Sequence, residues 1–438
     1  MTTAQADTAS TLGMQASAQL GASLSDLPRV AALRGQGAAL GGALSWPDGR
    51  RERPWKYLDV TGYDLEGLRP ALDAVTSDIV EVRRSCPVTG EQSALAIVQN
   101  SHVALTEVEP DVDGLTLAAF EGASGLAAAS IEKHLGTVVA PEKNRFTALH
   151  YAFLRGGVLI QVAPNAEVKL PVRIVRGFLS EGQFAAPHTL IVAGANSRVT
   201  IVEDFHSSDG EMVVVPAVEI VPGPGAQVTY TAIHHWGAKT KTFLEQRMVS
   251  ERDSALVATH VVAGGEVVKG HLESSLEGRG SSSELYSAVI GSGSQHVDFY
   301  TVQDHIGPDT RSNLLFKSAL GGKSRAVYYG LTKVGLGAKN ADANQENRNL
   351  LLSRQAKADS DPVLEILTSD VVRVSHGATA GPVDREQLYY LQTRGIPAKE
   401  AQNLLVRAFL GHAIDHVGSD AIRDELGAVL DSRMAQLA

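Results

Sequence analysis

The residues best placed to do chemistry lie in EILTSDVVRVSHGATAGPVDREQLYYLQTRGI, residues 365–396, where His376 stands between Ser375 and the small pair Gly377-Ala378. An imidazole can ligate a first-row metal as a neutral base. The same ring could instead order a strand-to-helix turn by hydrogen bonding. Fourteen histidines occur in the chain, but few have ligand spacing. His412 and His416 are four apart on a helical pattern and lack the glutamate of a helical zinc motif. His234-His235-Trp236 and His260 lie about one repeat apart and are expected to stack as a ladder. The one cysteine, Cys86 with Pro87 after it, allows no internal disulfide and no Cys-ligated metal site built by this chain alone.

Composition removes other classes. The 438 residues carry a formal charge of −10, which argues against nucleic acid as a partner. No run of 18 apolar residues exists, so no membrane helix is expected, and the single cysteine suits a cytoplasmic home. Residues 1–24 read as a mobile small-residue tail rather than a leader. Gly-x-Gly pairs beginning at Gly223, Gly278, Gly291 and Gly335 lack the third glycine of a dinucleotide fingerprint and read as turns. Gly322-Lys323-Ser324 imitates the end of a phosphate loop, but Lys317 replaces its first glycine and the strand-like AVYYG follows, so the chain is not itself an NTPase. A carbohydrate-cleaving reading would need converging carboxylates; Asp298, Asp304 and Asp309 are the candidates, without repeat register.

The elements around these residues fall into four stretches. Residues 25–145 are mixed and mainly helical, with helix-like patterns at Leu27–Leu40, Leu65–Val75 and Leu115–Leu135, a basic-aromatic turn at 51–60, and short strands between Ala94 and Val108. Residues 146–370 turn to short strands opened by a recurring Asn/Gly/Asp, Ala/Ser, variable, apolar tetrad. The leading apolar residues Val168, Val199, Val228, Leu256 and Leu285 are spaced by 31, 29, 28 and 29 residues. A looser copy begins at Gly293. That period predicts a mainly β fold, a stacked β-helix solenoid with one shared core, ahead of a hairpin sandwich. Residues 371–438 read as a helical domain: Asp384 caps a helix ended by Gly395, Pro397 opens the next, and Ala401, Leu404, Leu405, Ala408 and Ala413 form its apolar face.

Several separated motifs resemble the SufB/SufD family of iron–sulfur cluster assembly proteins. They are Asn344-Gln345-x-x-Arg348-Asn349-Leu350-Leu351-Leu352, Pro362-x-Leu364-Glu365-Ile366, Ser375-His376-Gly377-Ala378-Thr379 followed by Gly381, Asp384, Leu388-Tyr389-Tyr390-Leu391 and Arg394-Gly395-Ile396, and near the N-terminus Glu52-x-x-Trp55-Lys56-Tyr57. The absence of cysteine from residues 87–438 and the SHGAT wording are similar to the SufD type. Val374 stands where many such relatives carry cysteine.

The resemblance implies a right-handed parallel β-helix flanked by helical N- and C-terminal regions, and a non-catalytic scaffold role in a SufB–SufC–SufD complex that builds nascent clusters. It implies a SufC-like ATPase docked on the C-terminal helices and SufB paired through the β-helix, and leaves open a homodimer when SufB is absent. It places His376 at the SufB interface as an iron or cluster ligand beside a partner cysteine, with Ser375, Gly377, Ala378, Thr379, Asp384 and Arg394 (and Arg373) holding the motif. A purely structural scaffold is the other reading. The cluster would sit transiently at that interface. A reduced flavin is expected only of the whole complex, and no residue here marks a site for it.

Overall fold

The computed structural model describes residues 27–61, 68–71, 91–179 and 181–436. The expected tail 1–24, Cys86 and most of the helix-like stretch Leu65–Val75 lie outside them; within that stretch Arg69–Pro70 is a short strand paired with Gln183–Ala185.

Short strands alternate between two sheets, one of twelve strands and one of ten, so that each coil gives one strand to each. Along the ten-stranded sheet, Arg198, Gln227, Ala255, Ser282, Arg311, Asp342 and Arg373 are successive parallel register partners. This is the stacked solenoid, and its period is set at one corner. Asn165, Asn196, Gly225, Asp253, Gly280, Asp309 and Asn340 all take positive φ, between 54° and 74°. Asn, Asp and Gly are the residues that tolerate this conformation. Each of the first six donates its N–H to the carbonyl just before the next corner residue, as Asn196 does to Pro224 and Asp309 to Lys339 at 2.8 and 2.7 Å. The tetrad is therefore a corner ladder.

Two copies of it belong elsewhere. The fifth corner is Gly280-Ser281-Ser282-Ser283, two residues earlier than the expected Ser282–Leu285, because Ser283 fills the position where an apolar residue marks the other copies. Gly293 turns a different corner, leading into the twelve-stranded sheet at His296–His305.

The two inner faces bury one continuous core that includes Ile201, Tyr230, Leu256, Leu285, Leu314 and Tyr328. The outer faces are covered by helices. On the twelve-stranded sheet lie α1 (Pro28–Ala43), α2 (Gly125–His134) and α3 (Arg145–Ala152), through Leu33, Ile131 and Tyr151 against Leu159, Leu190 and Ala217. Asn144 caps α3 in a reciprocal box with Thr147. Leu115–Ala119, expected to be helix-favouring, is instead a strand antiparallel to Gly157–Val162, because its alternating Leu and Ala sit at the sheet edge.

Beyond the solenoid follow α4 (Arg385–Thr393), α5 (Ala398–Ile414) and α6 (Asp420–Ala435). Helices α5 and α6 pack on the outer face of the ten-stranded sheet, where Leu410, Ala413, Leu426 and Leu430 meet Val202, Ile233, Val261 and Ala288. The buried face of α5 is Ala401, Val406, Leu410, Ala413 and Ile414. Of the expected face, Leu404 is exposed and Ala408 points outward, so the helix carries a second, open apolar stripe.

The change from solenoid to helices was expected at 370 and falls at 381. Val371–Gly381 is a full strand, the last of the ten-stranded sheet, in register with Ala341–Leu350.

Candidate functional site

The two ends of the solenoid differ. At the N-terminal end each sheet finishes on an antiparallel strand, His102–Val108 on one and Leu115–Ala119 on the other. At the C-terminal end both sheets finish on parallel strands, Lys357–Ile366 and Val371–Gly381, each with one edge unpaired among the described residues. Unpaired backbone N–H and C=O groups make such an edge a template for another chain. Pro362, which cannot donate to a ladder, is tolerated there because its strand is an edge.

His376 lies in the middle of Val371–Gly381, not at a strand-to-helix turn. Its register partner is Gln345. In the strand Ala341–Leu351 the buried positions are Ala341, Ala343, Gln345, Asn347 and Asn349, the inward-facing side. Parallel partners share a face, so Val374, His376, Ala378 and Ala380 continue that inward side on the last coil. They are partly or fully exposed because no further coil covers them. Among the described residues, the His376 imidazole has no hydrogen-bond partner, so the turn-ordering reading of this ring finds no support.

The core beneath His376 changes character. The column Ile201, Tyr230, Ala258, Leu285, Leu314 ends on Gln345 and then His376. The Gln345 amide accepts from Tyr328 Oη at 3.1 Å and donates to the Val363 carbonyl at 3.2 Å. Asn347 donates to the Phe316 carbonyl and accepts from Asn349 and Ser360. Asn349 also donates to the Thr379 carbonyl at 3.2 Å. Sequence reasoning missed these three amides as part of the site. The available signal was their parity: counted from the corner at Asn340, they occupy inward positions, two of which the preceding coil fills with Leu314 and Phe316.

The rest of the motif is spread over two elements. Ser375 Oγ donates to Asn344 Oδ1 at 2.8 Å, on an outer polar ladder that continues from Asn344 to Asn313. Arg373 pairs with Asp342 across the same strands. A Cβ on Gly377 would meet nothing within 4 Å, so this chain gives no steric reason for glycine there. Asp384 caps α4 by accepting from the Glu386 and Gln387 N–H groups. Arg394 lies over the Tyr390 ring at 5.2 Å and Gly395, at φ 88°, ends the helix. No residue of α4 is buried. Ile366, Leu367, Val372, Tyr389 and Tyr390 are all exposed large apolar side chains near this end.

The competing candidates are packing groups. His234 and His260 stack at 5.6 Å with a 3.2 Å contact between ring nitrogens, as the ladder expectation holds. Burial drives both imidazoles down, His260 to about 3 and His234 well below its ordinary value, where the neighbouring His260 lowers it further. His416 stacks on Tyr286 at 4.0 Å. Asp298 is buried against Lys269 at 2.9 Å, Asp304 pairs with Lys333 and Asp309 with Arg279, so those carboxylates do not converge on a groove. Gly322 is a turn residue at φ 60° followed by the strand Arg325–Val334, not a phosphate cradle before a helix.

Among the described residues, then, one end of the β-solenoid presents an unpaired edge on each sheet, a polar core end and an exposed helix. Residues 178–409 match the family described as SUF system FeS cluster assembly, SufBD core domain, and the chain belongs to that family. It is 27% identical over 396 residues to the iron–sulfur cluster assembly protein SufD of Bacillus subtilis, covering 89% of this chain and 90% of that one. It is 30% identical over 298 residues to a SufBD family protein of Mycobacterium tuberculosis, covering 66% and 74%. With SufB of Bacillus subtilis the identity is 27% over 288 residues, covering 64% of this chain and 60% of the relative. This is a SufB/SufD-family iron–sulfur cluster assembly protein. No helix among the described residues is long and apolar enough to cross a membrane.

Proposed function

We propose that this chain is the accessory, SufD-type subunit of a complex with a SufB-type partner and a SufC-type ATPase, and that it performs no catalysis of its own. The observation that carries the reading is His376, inward-facing on a strand whose outer edge is bare. A SufB-type solenoid end, added edge to edge, would complete both sheets by β-augmentation. The last coil would then become interior, with His376 facing the junction above the amides of Gln345, Asn347 and Asn349. A neutral imidazole there can complete a mainly thiolate site whose cysteines come from the partner. The nascent cluster is cargo, received or passed at this junction. Val374 beside it supplies no thiol, so the histidine is the ligand this chain offers.

The second docking surface in this reading is the open stripe of α5, Leu404, Leu405 and Ala408, together with exposed α4. It suits a SufC-type ATPase whose nucleotide cycle moves the helical domain against the solenoid end.

Reconstitution tests the proposal. The wild-type and His376→Ala chains are mixed with SufB- and SufC-type partners, and complex size is measured together with bound iron and sulfide. Equal complex with reduced cluster supports a ligand role. Equal complex with equal cluster leaves a purely structural scaffold, and no complex removes the reading.

A further inference from the structure

A second group of ligand-type side chains lies far from the bare edge. Asp204 and His206 are two residues apart on the strand Arg198–Ser207 and so project from one face. It is the outer face, since Ile201 and Phe205 point into the solenoid core and Val202 packs beneath the C-terminal helices. His235 is the register partner of His206 on the next parallel strand. The two rings are 4.5 Å apart and 21° from parallel. One ligand atom from each of Asp204, His206 and His235 lies within 4.8 Å of the other two.

A side-chain ladder accounts for the ring stack but not for the hydrogen bonds. Asp204 is 2% exposed, and its Oδ2 is buried with no hydrogen-bond partner; His206 Nε2 is in the same state. Buried polar atoms are ordinarily paired, and such an orphan calls for an explanation. Arg173 approaches Asp204 Oδ2 only to 3.7 Å, while its two terminal nitrogens reach Glu425 of α6 at 3.0 and 2.5 Å.

We propose that Asp204, His206 and His235 bind one divalent first-row transition-metal ion. Two imidazole nitrogens and a carboxylate oxygen suit zinc or ferrous iron, and three protein ligands leave a position for water. Charge favours entry, because the carboxylates of Asp204 and Glu425 face the single guanidinium of Arg173. Both imidazoles are only partly covered, so an ion has a path in. The ion would tie two adjacent coils together and, through Asp204, Arg173 and Glu425, brace α6 against the sheet. It is not the edge site: six strand steps separate His206 from His376, about 29 Å at the ordinary inter-strand spacing.

The test uses the metal-stripped full chain without partners, so its failure is distinguishable from failure of the assembly reading. Zn2+ is titrated in competition with a chromophoric chelator, and thermal unfolding is recorded with and without it. We expect one tight equivalent and a raised midpoint. His206→Gln and His235→Gln should each weaken it by more than roughly the tenfold that loss of a supporting contact costs a metal site. The isosteric Asp204→Asn should do the same while keeping the fold. A His412→Ala/His416→Ala chain should bind like the wild type. Equal Zn2+ affinity in wild type and Asp204→Asn, or loss of the tight equivalent with His412 and His416, overturns the proposal.

Discussion

Gln345 and His376 are register partners on the last two strands of the ten-stranded sheet and face the same inward side, yet Gln345 is buried and His376 is exposed. Only the missing next coil separates their environments. That relationship leaves the imidazole open to solvent while the register with Gln345 fixes where its backbone sits.

His376→Ala should therefore leave the isolated chain's stability unchanged within about 0.5 kcal/mol, as for surface substitutions away from special features. Cluster yield of the reconstituted complex should fall. Denaturant unfolding of the isolated variant checks the first part, and a loss of several kcal/mol would mean that the ring holds the fold together.

Gly377 has open space where a Cβ would go. Gly377 lies on the outward side with Ser375, so Gly377→Leu should leave the isolated chain folded and as stable as wild type. Ala378→Lys, at an exposed inward position that an added coil would cover, should keep the isolated chain folded yet block edge-to-edge addition. Light scattering after mixing with the SufB-type partner reads this directly; unimpaired complex formation would place the partner elsewhere.

Gly37 of α1 shows the opposite geometry. A Cβ there would lie 2.5 Å from the Ala152 nitrogen and 2.6 Å from the Ala148 oxygen of α3, both backbone atoms. Gly37→Ala should cost about 1–3 kcal/mol through forced separation of the two helices. A thermal melt checks it, and an unchanged midpoint would contradict such close packing.

Burial holds several imidazoles neutral. It lowers His260 to about 3 and, with help from neighbouring His188, His150 to about 3; His305 is lowered to about 4. The unfolded chain protonates these groups near pH 6.5, so it binds more protons than the folded chain below that pH. Their contribution is fully present above pH 6.5 and is lost as pH falls toward about 4 for His305 and about 3 for His150 and His260, at up to about 1.4 kcal/mol per pH unit for each histidine. Burial alone would raise the Glu245 carboxyl, but Lys143 and His271 overcome it and hold it well below its ordinary 4.5. Its contribution is present above about pH 4.5 and is lost at lower pH. Urea midpoints at pH 7.5, 6 and 5 should fall in that order; a flat profile would contradict the buried neutral histidines.

The solenoid was legible because one corner repeats a backbone conformation that few residues tolerate. Asn165, Asn196, Gly225 and Asp253 announce it directly. At Gly280 the marker apolar residue is replaced by Ser283, and the eye moves two residues on to Leu285. The last strand was hidden for a related reason: Val371–Gly381 has small and polar residues on its inward side because that side has no coil above it. His376 was found through its neighbours and the family resemblance, whereas its inward direction needed the register with Gln345. The face of α5 was misassigned because the helix has two apolar stripes and periodicity alone cannot say which one the solenoid covers. Asp204 and His206 were invisible as a pair with His235, since a register of 29 residues brings them together.

The most direct test of the central claim is light scattering coupled to size exclusion on this chain mixed with SufB- and SufC-type partners, run beside the Ala378→Lys chain. The account predicts one discrete complex containing this chain for the wild type and loss of the SufB-type partner for Ala378→Lys. A wild-type chain that elutes alone with both partners present, or an edge variant that assembles normally, would contradict it.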